Sequence, residues 1–335
     1  MKNLLIARVS AAKALFPGFL ISVLIALAAQ FISEHYGAPS MLMALLFGIA
    51  LNFLSEEGPC RVGVTFSART VLRFGVALLG TRISFDMATA LGWPIVALVA
   101  GGVIATILFG MAIARLFGHG PRFAFLSAGS VAICGASAAL AISAILPRDE
   151  RTEERLVFTV VGVTLLSTIA MIAYPILATS IGFDTKFAGI FIGATIHDVA
   201  QVVGAGFSLS EETGDIATVV KLIRVAMLAP VILVAIIVIR RLGVDDGSGE
   251  RPVLVPSFIL AFVVLLTMNS FGFFPAALTA FSAELSRWAL LTAIAAVGLK
   301  TSLREVVHVG FPAIALLVIE TLFIGGLTIS VLVWM

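Results

Sequence analysis

Residues 93–122 read WPIVALVAGGVIATILFGMAIARLFGHGPR. From Pro94 to Ala114 there is no charged side chain, and the run then ends in Arg115 and a Gly-His-Gly-Pro break. A helix needs roughly 20 mostly apolar residues to cross the hydrocarbon core of a bilayer, and this stretch supplies them. The rest of the chain repeats the pattern. Of its 335 residues 60% are hydrophobic and only 12% are charged, with a mean hydropathy of +1.15. Soluble domains carry about 25% charged residues. Too little polar surface is available to cover a globule, which excludes a water-soluble enzyme, a disordered protein and a nucleic-acid binder. The net charge of +2 implies no polyanionic partner.

Eleven segments of this kind follow one another, at about 15–31, 39–54, 66–84, 94–116, 121–147, 156–181, 186–208, 214–240, 255–273, 280–300 and 309–334. Between them lie short polar or Gly/Pro-containing breaks, such as SEHYGAPS (33–40), SEEGPCRVG (55–63), RDERTEER (148–155), SEETGD (210–215) and VDDGSGERP (244–252). None is long enough for a soluble domain, so residues 1–335 form a single integral membrane domain. Backbone groups in lipid must be satisfied within the segment, and continuous apolar runs do this as helices rather than as alternating barrel strands. The expected class is an all-α polytopic membrane protein. Lys2, Arg8 and Lys13 precede the first run in the manner of a signal peptide, but the run is long enough to span and others follow. It reads as an uncleaved first helix with its basic end in the cytoplasm, and the chain as a multi-pass membrane protein.

Eleven crossings from a cytoplasmic N-terminus put Arg115, Arg122, Arg240, Arg241, Arg251 and Arg304 in cytoplasmic loops. They also put Arg148, Arg151 and Arg155 outside. A second arrangement repairs this: nine spans plus re-entrant hairpins at 121–147 and 186–208 return 148–155 to the cytoplasm. The eleven-span arrangement is preferred here because Asp and Glu in the same loop blunt the basic signal. Internal similarity points to repeats. Arg73 in TVLRFGVALL and Arg224 in VKLIRVAMLA sit in spans three and eight, and small-residue breaks occur in span five (CGASAA, 134–139) and span ten (AAVGLKTS, 295–302). Five is an odd offset, which inverts topology as in many secondary transporters. A competing match, GTRIS at 80–84 with GLKTS at 298–302, each followed by Gly-x-Pro (92–94 and 310–312), implies an offset of seven.

Ionisable groups at membrane depth cost about 2.5–3.5 kcal/mol on insertion scales and normally face a cavity, a partner or the bundle interior. The densest cluster is GATIHDVAQVVGAG (193–206), where His197, Asp198 and Gln201 converge at helical spacing. Beside a cavity, His197 and Asp198 would bind and release a proton; otherwise the three form a packing network. Span five carries AGSVAICGASAALAIS (128–143), readable as close small-residue packing or as a broken helix. In the second case free N–H groups near Cys134, Gly135 and Ser137 would bind an anion. Arg69, Arg73, Arg82, Lys221, Arg224, Arg287 and Lys300 face few intramembrane acids, chiefly Asp198, Glu284 and Glu320. That excess favours an anionic substrate, with several of the cations snorkelling to the interface instead. Arg73 and Arg224 are the cations expected inside. Glu320, mid-span in LLVIETLFIGG, is either a proton site or the partner of one of them. No nucleotide-binding loop, zinc-protease helix or nucleophile elbow occurs, so neither an ATP-driven pump nor an enzyme is expected. Cys60 and Cys134 imply no disulfide framework, no Cys/His grouping has metal-ligand spacing, and no cofactor is expected.

LRFGVALLGTRIS (72–84), AICGASAALAISAILP (132–147), ATIHDVAQVVGAG (194–206), KLIRVAMLAPV (221–231) and VGLKTSL (297–303) resemble a bacterial membrane-protein family often labelled as sulfate exporters. That family is grouped with transporters of the cation/proton antiporter and bile-acid symporter type. The resemblance implies an extra N-terminal helix (1–35) and two inverted five-helix repeats (36–183 and 184–335), with crossing helices broken at Cys134–Ala139 and Gly298–Ser302. It also singles out Ile196, His197 and Asp198 as the family's IHD residues. The function expected is a secondary active transporter exporting a small anion such as sulfate, sulfite or a sulfonate. Cys134, Gly135, Ser137, His197, Asp198, Gln201, Arg73, Lys221 and Arg224 would form the substrate site, and His197, Asp198 and Glu320 are the proton-coupling candidates. The partners expected are the anion, the lipid bilayer and a coupling proton or sodium ion, and a homodimer fits this class. The alternatives are an ion-coupled organic-anion symporter and a membrane sensor or assembly protein without flux.

Overall fold

A computed structural model describes residues 2–56, 58–81, 83, 91–147, 150–241, 257–301 and 311–335. Arg82, Arg148, Arg251, Ser302, Arg304, Gly310, the side chain of Arg240 and the break at 244–252 lie outside the described residues. All regular elements among those described are helices: α1 (Lys2–Tyr36), α2 (Ser40–Ala50), α3 (Phe53–Glu56), α4 (Cys60–Phe66), α5 (Leu72–Leu79), α6 (Trp93–Ile113), α7 (Pro121–Ala132), α8 (Ala136–Ile145), α9 (Thr152–Ile181), α10 (Thr185–Thr195), α11 (Val199–Leu209), α12 (Glu211–Ala226), α13 (Leu228–Arg241), α14 (Ser257–Ser270), α15 (Ala276–Lys300) and α16 (Phe311–Trp334). A π-turn, Ser67–Val71, joins α4 to α5, and a 3-10 turn, Ala114–Phe117, follows α6.

Among the described residues, seven stretches are long and apolar enough to cross a membrane: 13–36, 60–79, 93–117, 154–181, 211–239, 276–300 and 313–334. The other four of the eleven expected segments differ. Segment two holds the short α2 and the start of α3, segment nine the single short α14, whereas segments five and seven are each interrupted into two. In segment five, α7 ends where Ile133 leaves helical geometry (φ −111°, ψ −84°) and Gly135 takes φ +62°, a region open to glycine and strained for side-chain-bearing residues. In segment seven, α10 ends at the extended Ile196 (φ −65°, ψ 137°) and α11 restarts after Asp198.

The chain divides into two compact units. The first comprises residues 1–88, 203–210 and 257–303, and the second 89–202, 211–256 and 304–335. Within the first unit α2 and α15 cross backbone against backbone. A Cβ on Gly298 would stand 2.4 Å from the Leu45 carbonyl oxygen, and one on Gly48 2.4 Å from that of Ala295. Within the break expected at Gly298–Ser302, α15 stays helical through Lys300 and leaves helical geometry at Thr301 (φ −80°, ψ 102°), while Gly298 lies in the helix and serves close packing. Asn52 and Ser55 close its end by donating to the Leu299 carbonyl at 2.8 and 2.5 Å.

In the second unit α9 acts as a ruler, about 45 Å long at 1.5 Å per residue. Gly129 and Ile142 are 13 residues apart and would be separated by about 20 Å in a continuous helix. Instead a Cβ on Gly129 would stand 2.4 Å from the Ile142 Cδ1, so α7 and α8 fold back on each other. Their outer ends meet in a small pocket lined by Arg122, Leu126, Ser143, Leu146, Pro147, Thr152 and Arg155, at the start of α9. His119 lies at this same end, where burial, then the Arg151 and Arg155 guanidiniums, hold its imidazole below the ordinary histidine value. The other interrupted segment enters from the far end of α9. Phe191 packs on Tyr174 and Phe183, and Asp198 reaches Ser167. Here α12 runs parallel to α10, since Thr213 bonds the Thr185 carbonyl (3.4 Å), Gly189 packs on Ile216, and Gly193 on Val220. The chain must then return between 196 and 211 to the level at which α10 began. Both segments reverse, as the hairpin arrangement requires and as eleven uninterrupted helices would not. The physical reason is the pair of breaks, which fall mid-segment.

Cysteines introduced at Gly120 and Glu150 in a background without Cys60 and Cys134 are expected to react with a membrane-impermeant maleimide from the same side. One at Gly182 should react from the opposite side. Labelling of Gly120 and Glu150 from opposite sides would replace the hairpin with a crossing helix.

Candidate functional site

The two hairpin tips, residues 133–135 and 196–198, meet halfway along α9. A Cβ on Gly135 would lie 3.4 Å from His197 Cβ and 3.5 Å from Val163 Cγ2. Four helix ends converge here: the C-termini of α7 and α10 and the N-termini of α8 and α11. The last carbonyls of a helix have no partner within it. In an apolar interior an unpaired one costs about 1–3 kcal/mol.

Lys221 and Arg224, one turn apart on α12 and wholly buried, answer that need. The Lys221 Nζ donates to the carbonyls of Ile133 (2.8 Å) and Ile196 (2.9 Å). The Arg224 guanidinium donates through Nε to Ala132 (2.5 Å), through Nη1 to Ile196 (3.0 Å) and through Nη2 to Val131. Two cations thus cap two helix C-termini, where the helix dipole is negative. Carbonyls carry no formal charge, and no carboxylate lies within ion-pair distance of either cation among the described residues. The tip region holds these two cations together with the Asp198 carboxylate in a low-dielectric setting.

Asp198 occupies the N-cap of α11. Its Oδ1 accepts from Ala200 N (2.8 Å) and its carbonyl from Val202 N (3.0 Å), while its own N–H donates to Ser167 Oγ (3.0 Å). His197 is fully buried, with Nε2 at 3.0 Å from Thr321 Oγ1 of α16. Thr321 also donates its hydroxyl to the Leu317 carbonyl (2.8 Å), the Val131 backbone lies beside the His197 ring, and Nδ1 has no hydrogen-bond partner of ordinary geometry. Gln201 donates to Thr168 Oγ1 (2.8 Å) and more loosely to the Thr164 carbonyl (3.4 Å), and its Oε1 is likewise unpaired. At the first tip Cys134 is buried and Ser137 exposed, and no side chain caps α8.

Of the nine substrate-site residues expected from the sequence, this unit brings Cys134, Gly135, His197, Asp198, Gln201, Lys221 and Arg224 to the tips, with Ser137 on the first turn of α8. Arg73 belongs to the first unit, and its expected burial is corrected: its side chain is exposed and its guanidinium stands 6.0 Å over the Phe258 ring. Arg69 and Lys300 are exposed, and Arg287 pairs with Glu284 at 2.8 Å. Glu320 sits on α16 beside Thr321, bonded to Ser127. The hydroxyls of Ser127, Ser167, Thr168 and Thr321 were not anticipated. Isolated Ser and Thr in apolar helices carry no sequence signal, and the capped carbonyls carry none at all.

The geometry defines a multi-pass membrane protein built around interrupted helices whose ends are held by buried charge. A family profile described as Conserved hypothetical protein 698 matches residues 17–317, and the chain belongs to that family. It is 59% identical over 315 residues to the UPF0324 membrane protein TauZ of Paracoccus denitrificans, covering 93% of each chain. Over 312 residues it is 58% identical to the protein of the same name in Paracoccus pantotrophus, covering 92% of each. A UPF0324 membrane protein of Rhizobium meliloti is 58% identical over 310 residues, 92% of this chain and 90% of that one.

Replacing Arg224 by Met should lower the thermal unfolding midpoint in detergent. It strands the carbonyls of Val131 and Ala132, at about 1–3 kcal/mol each, partly offset because no charge is then desolvated. Arg224→Lys, which keeps one donor group but not the fork, should fall between. Equal midpoints for all three proteins would mean that α12 does not hold the tips.

Proposed function

We propose that this chain is a secondary active transporter that moves a small anion, such as sulfate, sulfite or a sulfonate, across the bacterial inner membrane. The observation that carries this reading is the convergence, at two opposed hairpin tips, of two buried cations and the N-terminal ends of α8 and α11. Helix N-termini present N–H donors and partial positive charge. With Lys221 and Arg224 they make a positive centre at the meeting point of two breaks, the arrangement by which interrupted helices in transporters receive anionic groups. His197 and Gln201 each keep a buried unpaired atom there for a polar substrate. The architecture read with this function has nine crossings, α2 and α14 among them, and two re-entrant hairpins inserted from opposite faces as inverted counterparts. The N-terminus is then cytoplasmic, and so are His119, Arg122, Arg151 and Arg155, in keeping with the basic bias of cytoplasmic loops.

A second reading has one specific support: the named donors of Lys221 and Arg224 go to backbone, and Asp198 is an N-cap. A polar network with those roles would serve a non-transporting membrane protein equally well.

Asp198→Asn separates the two, because Asn caps a helix as well as Asp does and removes only the charge. Labelled sulfate and sulfite are offered to proteoliposomes under an imposed pH gradient. Wild-type protein should carry flux, and Asp198→Asn should lose its dependence on the gradient while unfolding at the same temperature. Flux with unaltered coupling would remove Asp198 from the coupling mechanism. Absence of flux with inorganic and organic anions alike would leave the non-transporting reading.

A further inference from the structure

Glu320 lies at the middle of α16 with no exposed surface. α6 accommodates it with a glycine: a Cβ on Gly110 would stand 2.4 Å from Glu320 Oε1 and 2.5 Å from Ala128 Cβ. Oε1 is 3.0 Å from Ser127 Oγ on α7, and Oε2 has no hydrogen-bond partner. The sequence left Glu320 as either a proton site or the partner of a cation. No Lys or Arg lies within ion-pair distance of it among the described residues. α6 presents Gly110 to it, and α7 presents Ser127 and Ala128. The titratable group held by its neighbour Thr321 is His197. The cations on the packed elements stand at helix ends. Arg115 and Lys186 are exposed, and Arg122 precedes Ser127 by five residues at the base of the hairpin, with His119 and Arg155.

An ionised carboxylate with a single hydroxyl donor is not sustained in such an interior, whereas the neutral acid is. Ser127 makes the alternative states legible. Its one hydroxyl proton has two acceptors within reach, the Ala124 carbonyl at 3.2 Å and Glu320 Oε1 at 3.0 Å. When Glu320 carries its proton on Oε1 it donates to Ser127 Oγ, and Ser127 donates to Ala124. When that proton leaves, Ser127 turns to donate to Oε1 and releases the Ala124 carbonyl.

We infer that Glu320 is a proton-binding site and that Ser127 transmits its state to the α7–α8 hairpin. Ser127 lies one turn before Val131, where the carbonyls held by Arg224 begin, so proton occupancy and the position of the first tip share one short helix. The binding of the proton stands by itself; its use to drive flux rests on the transport reading above.

Infrared spectra of the purified protein in lipid at neutral pH should show the carbonyl stretch of a protonated carboxylic acid. Glu320→Gln should remove that band, and Ser127→Ala, which deletes its hydrogen-bond partner, should displace it. No such band in the wild type, or a band that survives Glu320→Gln, overturns the site. Should Glu320→Gln fail to fold, the Ser127→Ala spectrum decides, since an undisplaced band places the acid elsewhere. In proteoliposomes Glu320→Gln should keep downhill sulfate flux and lose its response to a pH gradient. A Glu320-dependent band in a protein that moves no anion would sustain the proton site and sink the transport reading alone.

Discussion

Breaking a helix inside a membrane protein leaves carbonyls with no partner, and the second unit of this protein is organised around meeting that demand twice at one place. The ends of α7 and α10 are held by donors from one side of α12. Ile196 accepts from both cations, so the two tips are tied through a shared acceptor as well as a shared helix. Hydrophobic burial could not do this, because the surroundings of the tips are as apolar as lipid and give no preference for one register over another. Charge-assisted hydrogen bonds are stronger and directional, and they specify where the breaks must lie.

The arrangement also explains why so few charges suffice. The opposed hairpins place two C-termini and two N-termini together. The C-termini consume the donors of Lys221 and Arg224, and Asp198 caps α11, while α8 begins at Gly135 with no side-chain cap. What remains is an electropositive centre made mostly of backbone, in which His197 and Gln201 retain one unpaired atom each. Glu320 belongs to the same unit but not to the same pairing scheme. It meets hydroxyl and glycine rather than a cation among the described residues.

Much of this was legible in the residues. The apolar runs, the absence of soluble domains and the weight of GATIHDVAQVV follow from the free energy of burying or exposing each side chain, a local property that composition reports. Arg224 was identifiable as internal by the same cost. Arg73 was misjudged because an arginine in an apolar run reads the same whether its head is buried or lies on an exposed ring, as it does over Phe258. Gly298 opened an expected break that the helix reaches only at Thr301, because glycine serves both interruption and close approach. The deciding fact, the Leu45 carbonyl against it, comes from a segment some 250 residues earlier.

The sequence by itself determined the all-helical membrane class, the family and the polar residues that had to be sheltered, since these depend on how each side chain is solvated. Only the tertiary structure decided that segments five and seven turn back, that their tips meet, and that two cations are engaged by backbone carbonyls rather than by carboxylates. Those outcomes depend on acceptors every residue carries, the main-chain oxygens, and which of them are left without a partner is settled only when the helices are in place.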